Sequence, residues 1–474
     1  MKVALVSLSK DAFYLPIGLV YIATYLEKKK GFSDTVIVDA RFDDIHKRLQ
    51  EIKPDLVGIS AMTFHYCEAT KLAAEIKKYS RAQIAVGGFH VSLMPHSLHE
   101  AFDFGIMGEG EETFSEVVEA FDKRGPLDSK ALSGIPGLVF RDENGGIAFS
   151  PERPMIQDLD DIPVPDMKFV DRRYFKPREE VGLGMIAPCG PLLTARGCPY
   201  KCVFCADAAF WKRYRSNSAE YVVKNIEHLM NDCGVSIINI HDDMFSVNKK
   251  RIREIRDLMG ERGILGKVTF TCNARSNHID DEMCELLASM NVRNLFFGFE
   301  SGSEKVLKYL KVGSTTVEKH KEAIKTCKRH GLIVYGSLIF GSPGETIQDM
   351  RDSLDFIDYA IKEKADALWS FVATPYPRTG FWEEAKKRGK VSDDMDWEKF
   401  NTMSHYVVEN PPLSDVDPAE FKKVYDEARH KLRGMRIRLM WKFVLKTPKL
   451  KLVSQVIKNV PYYAERIYYQ IFHY

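Results

Sequence analysis

Over the first 120 residues, apolar runs of strand length alternate with stretches of helical spacing. Lys2 to Leu8 reads as a strand. Leu15-Pro16-Ile17-Gly18 then turns into an amphipathic helix that ends in Lys28-Lys29-Lys30 before Gly31. Thr35 to Asp39 is a second strand and Asp44 to Ile52 has helical spacing. Asp55 to Ser60 is a third strand, followed by a helix through Lys77. Gln83 to Gly88 and Phe104 to Gly108 are a fourth and a fifth. Such alternation predicts an α/β domain with a doubly wound, Rossmann-like parallel sheet. Ligands of these sheets sit beyond the carboxyl ends of the strands.

The pattern breaks over residues 121–190. Pro136–Phe140 and Ile147–Ser150 flank Asp142-Glu143-Asn144-Gly145-Gly146, a hairpin signal. Pro151-Glu152-Arg153-Pro154 and Ile162-Pro163-Val164-Pro165 suit extended linker. From Pro191 strand and helix alternate again. Strands are expected at Leu192–Thr194, Ser236–Ile240, Lys267–Cys272, Asn294–Phe299, Ile333–Phe340 and Ala367–Ala373. Six parallel strands with outer helices predict a partial, TIM-like (β/α)6 barrel, with its site at the carboxyl ends of the strands. Pro418 to Arg438 reads as one helix in a helical C-terminal extension. The expected domains are 1–125, 126–188 (hairpin and linker), 189–394 and 395–474.

A length of 474 residues suits two or three domains. Apolar content of 45% and charged content of 28% are those of an ordinary globular chain, and a net charge of +2 gives no footprint for nucleic acid. Nine cysteines form no paired framework, which points to a reducing, cytoplasmic setting. The first apolar run is too short for a signal peptide. No apolar run reaches the roughly 18 residues of a membrane span.

The chemistry concentrates at Leu192-Leu193-Thr194-Ala195-Arg196-Gly197-Cys198-Pro199-Tyr200-Lys201-Cys202-Val203-Phe204-Cys205. Three cysteines stand there at C-x3-C-x2-C. Thiolates are the usual ligands of iron–sulfur clusters, which normally take four. Three on a four-iron cluster leave one iron open, and an open position separates a catalytic site from a closed structural one. A zinc site completed by Cys189 or Cys233 is the alternative, although zinc sites usually pair two short Cys/His clusters and no second one appears. The spacing resembles the radical S-adenosylmethionine (SAM) enzymes. The resemblance implies a [4Fe-4S] cluster on Cys198, Cys202 and Cys205, with SAM chelated to the open iron. It also implies reductive cleavage of SAM to a 5′-deoxyadenosyl radical, with Phe204 near the adenine.

Further matches follow at the expected strand ends. His241-Asp242-Asp243 resembles the position that accepts from the SAM ammonium, so Asp242 or Asp243 would take it. Arg275 would pair with the SAM carboxylate. Glu300 resembles a residue facing the methionyl or ribose part. Gly341-Ser342-Pro343-Gly344-Glu345-Thr346, including Gly341 and Pro343, resembles the turn near the adenosine. A plain helix start is the other reading of that turn.

The strand ends of the first domain are small or hydroxylic: Ser60 and Thr63, Gly87-Gly88, and Gly108-Glu109-Gly110-Glu111, with Glu111 or Thr113 expected to cap the next helix. Together with Pro16-Ile17-Gly18-Leu19 they resemble the cobalamin-binding domain that precedes many radical SAM domains. A flavodoxin-like domain that binds nothing, or binds a protein, is the alternative. Where many cobalamin proteins carry D-x-H-x-x-G, this chain has Asp11-Ala12-Phe13-Tyr14-Leu15-Pro16-Ile17-Gly18, without histidine. His46, in Asp44-Ile45-His46, matches half of that motif but reads as a surface residue.

The chain therefore resembles the cobalamin-domain radical SAM group, which includes methyltransferases and the anaerobic porphyrin ring cyclase. That resemblance implies methyl transfer to an unactivated carbon, or a cyclisation or rearrangement without it, and a reducing donor such as flavodoxin or ferredoxin. The substrate (small molecule, lipid or peptide) is not legible. Lys442 to Lys458 interleaves Lys with apolar residues, and Tyr462, Tyr463, Tyr468, Tyr469 and Phe472 follow. This tail suits a helical cap or peripheral contact with an anionic membrane.

Overall fold

The computed structural model describes residues 1–10, 15–180, 185–397 and 413–446. Among these, the chain forms two compact units. The first comprises Met1–Tyr174, Cys205–Asn225 and Tyr376–Met403; the second comprises Phe175–Phe204, Ile226–Pro375 and Ser404–Tyr474.

The first unit opens with β1 (Val3–Ser7), α1 (Ile17–Lys30), β2 (Thr35–Asp39), α2 (Ile45–Ile52), β3 (Leu56–Ser60) and α3 (Tyr66–Tyr79). β4 (Gln83–Gly87), α4 (Phe89–Leu93), β5 (Phe104–Ile106), α5 (Gly110–Arg124), α6 (Ser129–Ser133), β6 (Leu138–Arg141) and β7 (Ile147–Phe149) follow. The sheet order is β2-β1-β3-β4-β5-β6-β7. β1 to β5 are parallel, and the order reverses between β1 and β3, where a doubly wound sheet opens its binding crevice. The expected hairpin, β6–β7, adds antiparallel to β5 and extends this sheet. The proline-rich stretch after it packs on the same unit. Asp166 N donates to Thr24 Oγ1 at 2.9 Å, and Tyr174 OH donates to Asp39 at 2.6 Å.

Two short antiparallel strands, β8 (Arg178–Glu180) and β9 (Met185–Ala187), start the second unit. In chain order β10 (Cys189–Leu192), β11 (Ala195–Arg196), α7 (Ala206–Phe210), β12 (Arg215–Ser216), α8 (Ala219–Cys233), β13 (Ile237–Ile240), α9 (Lys249–Glu261) and β14 (Thr269–Ala274) follow; of these α7, β12 and the start of α8 fall in the Cys205–Asn225 stretch of the first unit. α10 (Asp281–Ser289), β15 (Val292–Glu300), α11 (Glu304–Leu310), α12 (Val317–Arg329), β16 (Ile333–Phe340), α13 (Ile347–Lys362) and β17 (Ala367–Val372) continue the second unit, with α14 (Gly380–Lys387) belonging to the first unit. A long helix, α15 (Pro418–Lys446), packs on α13 and β17. The six-stranded sheet β10-β13-β14-β15-β16-β17 is parallel throughout and never reverses order, the arrangement of a partial barrel wall. One face of β15 is fully buried through Leu295, Phe297 and Phe299, and Phe299 meets Phe356 of α13 edge-on.

The strand expected at Leu192–Thr194 sits earlier, at Cys189–Leu192. The reason is local: Thr194 N (2.6 Å), Thr194 Oγ1 and Ala195 N (3.1 Å) all donate to the Asp242 carboxylate, which takes the chain out of the ladder. The tail beyond residue 446 lies outside the described residues. No described helix is long and apolar enough to cross a membrane.

Candidate functional site

The cysteine loop leaves the carboxyl end of β10, beside the carboxyl ends of β13, β14 and β15. Gly197 opens it at φ +81°, a left-handed turn that glycine adopts without strain. All three cysteines are partly exposed and none is in a disulfide, and Cys205 is the N-cap residue of α7, without a side-chain cap. Burial pushes the Cys198 thiol up; Asp243 and Cys202 add to this, while Arg275 opposes it. Cys198 therefore feels one carboxylate, one cation and a neighbouring thiol. Val203 N donates to Leu310 O at 3.0 Å, which ties the loop to α11.

The two acids after β13 have parted roles. Asp242 is 1% exposed and spends its oxygens on Thr194 and Ala195. Burial raises its pKa, opposed by those bonds and by Arg251, whose Nη2 donates to Thr194 O at 2.6 Å. It shapes the start of the cysteine loop. Asp243 is the partly exposed member, and its charge acts on Cys198.

Arg275 leaves β14 buried. Its Nη1 lies 3.4 Å from Cys202 Sγ, its Nη2 bonds Ser314 Oγ, and its guanidinium lies 3.8 Å from the centroid of the Tyr200 ring. Glu300 ends β15 at φ +67°, just past a register shift. This turns its carboxylate back over Gly298, where an added Cβ would lie 2.1 Å from Glu300 Oε1. Lys311 meets Glu300 at 2.9 Å, both nearly sealed from solvent, and the Lys311 ammonium lies 5.6 Å from the Phe204 ring centroid. Each aromatic residue of the cysteine loop thus has a cation by its face. The family resemblance pointed to Arg275, Glu300 and Phe204. It missed Lys311 and Tyr200, since nothing in the periodicity marks a lysine at the end of α11.

The turn after β16 is built around Glu345. Gly341 N and Ser342 N donate to its Oε2, and burial pushes its pKa up to about 8. Thr346 caps α13 in a reciprocal capping box with Asp349, so part of the turn is indeed a helix start. Gly341 is buried and Pro343 half-buried at the carboxyl end of β16.

In the first unit, Ser60 ends β3 and Gly87 ends β4, half-buried. Gly88 has φ +106°, and an added Cβ would sit 2.7 Å from Ala61 O. Ser92 Oγ donates to Gly88 O at 2.7 Å and accepts from Gly108 N at 3.0 Å, so one hydroxyl joins two glycine ends. Around Gly108, an added Cβ would meet nothing within 4 Å. Met62 and Phe64 stand out at 45% and 39% exposure beside buried Thr63. Small backbone ends with projecting apolar side chains fit a large flat ligand.

Glu109 turns away from that edge. Ile156 N and Arg215 Nη1 both donate to its Oε2 at 2.8 Å, and this ion pair is buried. Gly110 begins α5 and Glu111 is buried in its first turn. The expected cap by Glu111 or Thr113 is absent: Glu109 is the N-cap residue without a side-chain cap, and Thr113 bonds Arg153 and Pro136 O. His90 is sealed, with its Nε2 2.9 Å from Ser97 Oγ and its ring stacked on Tyr66, so it is a core residue. His46 sits at the surface between Tyr79 and Glu75. Residues 11–14, in the loop without histidine, lie outside the described residues.

Comparison with known proteins agrees with both halves. Residues 192–357 match the Radical SAM superfamily and residues 4–118 the B12 binding domain. The chain is 32% identical over 395 residues to the uncharacterized methyltransferase PH0819 of Pyrococcus horikoshii, covering 82% of each chain. The chain belongs to the B12-binding-domain radical SAM enzymes. Within this family it is 28% identical to the anaerobic magnesium-protoporphyrin IX monomethyl ester cyclase of Cereibacter sphaeroides, over 81% of this chain and 62% of that one. It also matches the radical SAM methyltransferase TsrM of Kitasatospora setae, solved with tryptophan substrate and a SAM analogue. That match has a TM-score of 0.64 at 25% identity and covers 81% of this chain and 76% of that one.

Among the described residues no three His, Cys, Asp or Glu side chains gather around a single metal ion. A cluster does not ask for that, because each thiolate binds a different iron. The residues fit such a group: two free thiols share a cation, and sulfur donors select iron–sulfur centres or zinc.

Proposed function

We propose that the chain cleaves SAM reductively at a [4Fe-4S] cluster held by Cys198, Cys202 and Cys205, binds cobalamin at the carboxyl edge of its first sheet, and methylates an unactivated substrate carbon. Bound together, these groups supply a 5′-deoxyadenosyl radical to remove a substrate hydrogen and a methyl to replace it. One observation carries the reading. The only C-x3-C-x2-C in the chain leaves the carboxyl end of a parallel sheet whose neighbouring ends carry Asp243, Arg275 and Glu300–Lys311.

The protein's own part is binding and orientation, so no side-chain base is required. In this reading Asp243 accepts from the SAM ammonium, Phe204 lies by its adenine and the Gly341–Pro343 turn by its adenosine. The Glu300–Lys311 pair offers an acceptor and a donor side by side. For cobalamin, Ser60, Thr63, Gly87, Gly88 and Gly108 form the cradle; Glu109, Gly110 and Glu111 support it from the start of α5. The sheet face opposite the outer helices carries Phe296 and Tyr335, each against Trp369, with Phe371 47% exposed. That wall suits a substrate with an apolar carbon skeleton.

Methyl transfer is favoured over cyclisation because the Pyrococcus methyltransferase is matched over 82% of its length and the Cereibacter cyclase over only 62%. The cyclase match itself keeps a rearrangement as the second reading. Products decide. With labelled SAM and anaerobically reconstituted protein, methylation gives S-adenosylhomocysteine together with 5′-deoxyadenosine. Deoxyadenosine alone points to the second reading. A Cys198→Ala/Cys202→Ala/Cys205→Ala variant that still cleaves SAM ends both.

A further inference from the structure

We infer that Arg275 is a positioning residue of the cluster loop, whose guanidinium donates to the Cys202 sulfur and sets the reduction potential of the cluster. This rests on the reading that the loop holds a [4Fe-4S] cluster, and it gives Arg275 a task other than grasping the SAM carboxylate.

Three of the four residues that follow β14 grip the loop. Arg275 is 6% exposed and reaches Cys202 Sγ at 3.4 Å through Nη1, while Nη2 is anchored on Ser314 Oγ. Ser314 in turn donates to Lys311 O. The face of the guanidinium covers Tyr200, midway between Cys198 and Cys202. Asn277 Nδ2 donates to Tyr200 OH at 2.9 Å, and His278 Nε2 lies 2.5 Å from the same hydroxyl. Ser276, between them, is tied to buried His320 of α12 at 2.7 Å. Tyr200 is therefore held by its ring face and by its hydroxyl from one short segment, itself fixed to the core. Both outer nitrogens of Arg275 already have acceptors, and Nε has no partner among the described residues.

A cation donating to a ligating thiolate stabilises the extra negative charge of the reduced cluster and so raises its potential. Glutamine at this position keeps a donor and removes the charge. The expected effect of Arg275→Gln is a tenfold loss in the reduction equilibrium, a downward shift of about 59 mV for one electron.

The test is a redox titration, followed by electron paramagnetic resonance, of anaerobically reconstituted wild-type and Arg275→Gln protein, with iron and sulfide analysis of both. In parallel, the reduced wild-type cluster is examined by pulsed resonance after labelling with ¹⁵N-arginine, which needs no variant to fold. A lowered potential, or a weak ¹⁵N coupling to the cluster, supports the inference. A cluster-loaded variant with unchanged potential and only weakened SAM binding overturns it, as does a wild-type cluster without ¹⁵N coupling. Wild-type protein that holds zinc or no iron–sulfide centre overturns the cluster reading as well, so the two failures are distinct.

Discussion

Glu300 and Lys311 show how one residue's role depends on another that its own neighbourhood does not reveal. The pair is buried, with each side chain 6% exposed. Removing one partner of such a pair strands the other charge, at a cost of about 3–5 kcal/mol, whereas replacing both with neutral groups of similar shape is far milder. Lys311→Met is therefore expected to destabilise the protein by roughly that amount, and Glu300→Gln/Lys311→Met to recover most of it in urea denaturation. Equal losses in the single and double variants would show that the pair contributes packing, not charge. Glu300 was legible through the family resemblance at an expected strand end, and the structure explains the neighbouring Gly298 through the close approach of the Glu300 carboxylate. Lys311 was not legible, because it is brought back only by the turn of α11. Glu109 illustrates the same limit: it reads as a cofactor contact among glycines, yet its partner Arg215 lies 106 residues further along.

At the level of elements, the strands whose partners are other strands were read well. Ile333–Phe340 falls where expected because alternation along β16 follows burial on both of its faces. Leu192–Thr194 was misplaced because a side chain, Asp242, captures the backbone there, and apolar pattern is blind to such capture. The turn into α13 shows polar capture working for an element instead. Thr346 Oγ1 accepts from Asp349 N, the Asp349 carboxylate accepts from Thr346 N, and Lys305 pairs with that carboxylate at 2.6 Å. The hydrogen bonds from Lys305, Ser303 and Thr346 outweigh burial and hold Asp349 down at about 2. Thr346→Ala removes one side of this box and should cost about 1 kcal/mol, with faster amide exchange confined to the first turn of α13. An exchange change spread over the whole helix would mean that the box does more than cap it.

For the molecule as a whole, three buried groups shape the dependence of stability on pH, and their signs conflict. Burial depresses His90 and His320 to about 3 from 6.5, so both are neutral when folded and take up protons on unfolding below pH 6.5. Each favours folding less as pH falls, on the order of 1.4 kcal/mol by pH 5.5. Glu345 runs the other way: its pKa is raised to about 8 from 4.5, so it stays protonated when folded and ionises on unfolding. Its contribution is intact below pH 4.5 and is lost as pH rises to about 8. Between pH 4.5 and 6.5 the two imidazoles outnumber the one carboxyl, and these groups make stability climb with pH. Above 6.5 the imidazoles no longer contribute to the slope and Glu345 alone makes stability decline. A maximum near pH 6.5 is expected from this set. Glu345→Gln keeps an acceptor for Gly341 N and Ser342 N but removes the titration, so in calorimetry from pH 6.5 to 8 its melting temperature should fall less than that of the wild type. Parallel declines in both proteins would mean that Glu345 is already ionised in the folded state. In that case the two backbone donors outweigh burial in a turn that the cofactor reading places beside adenosine.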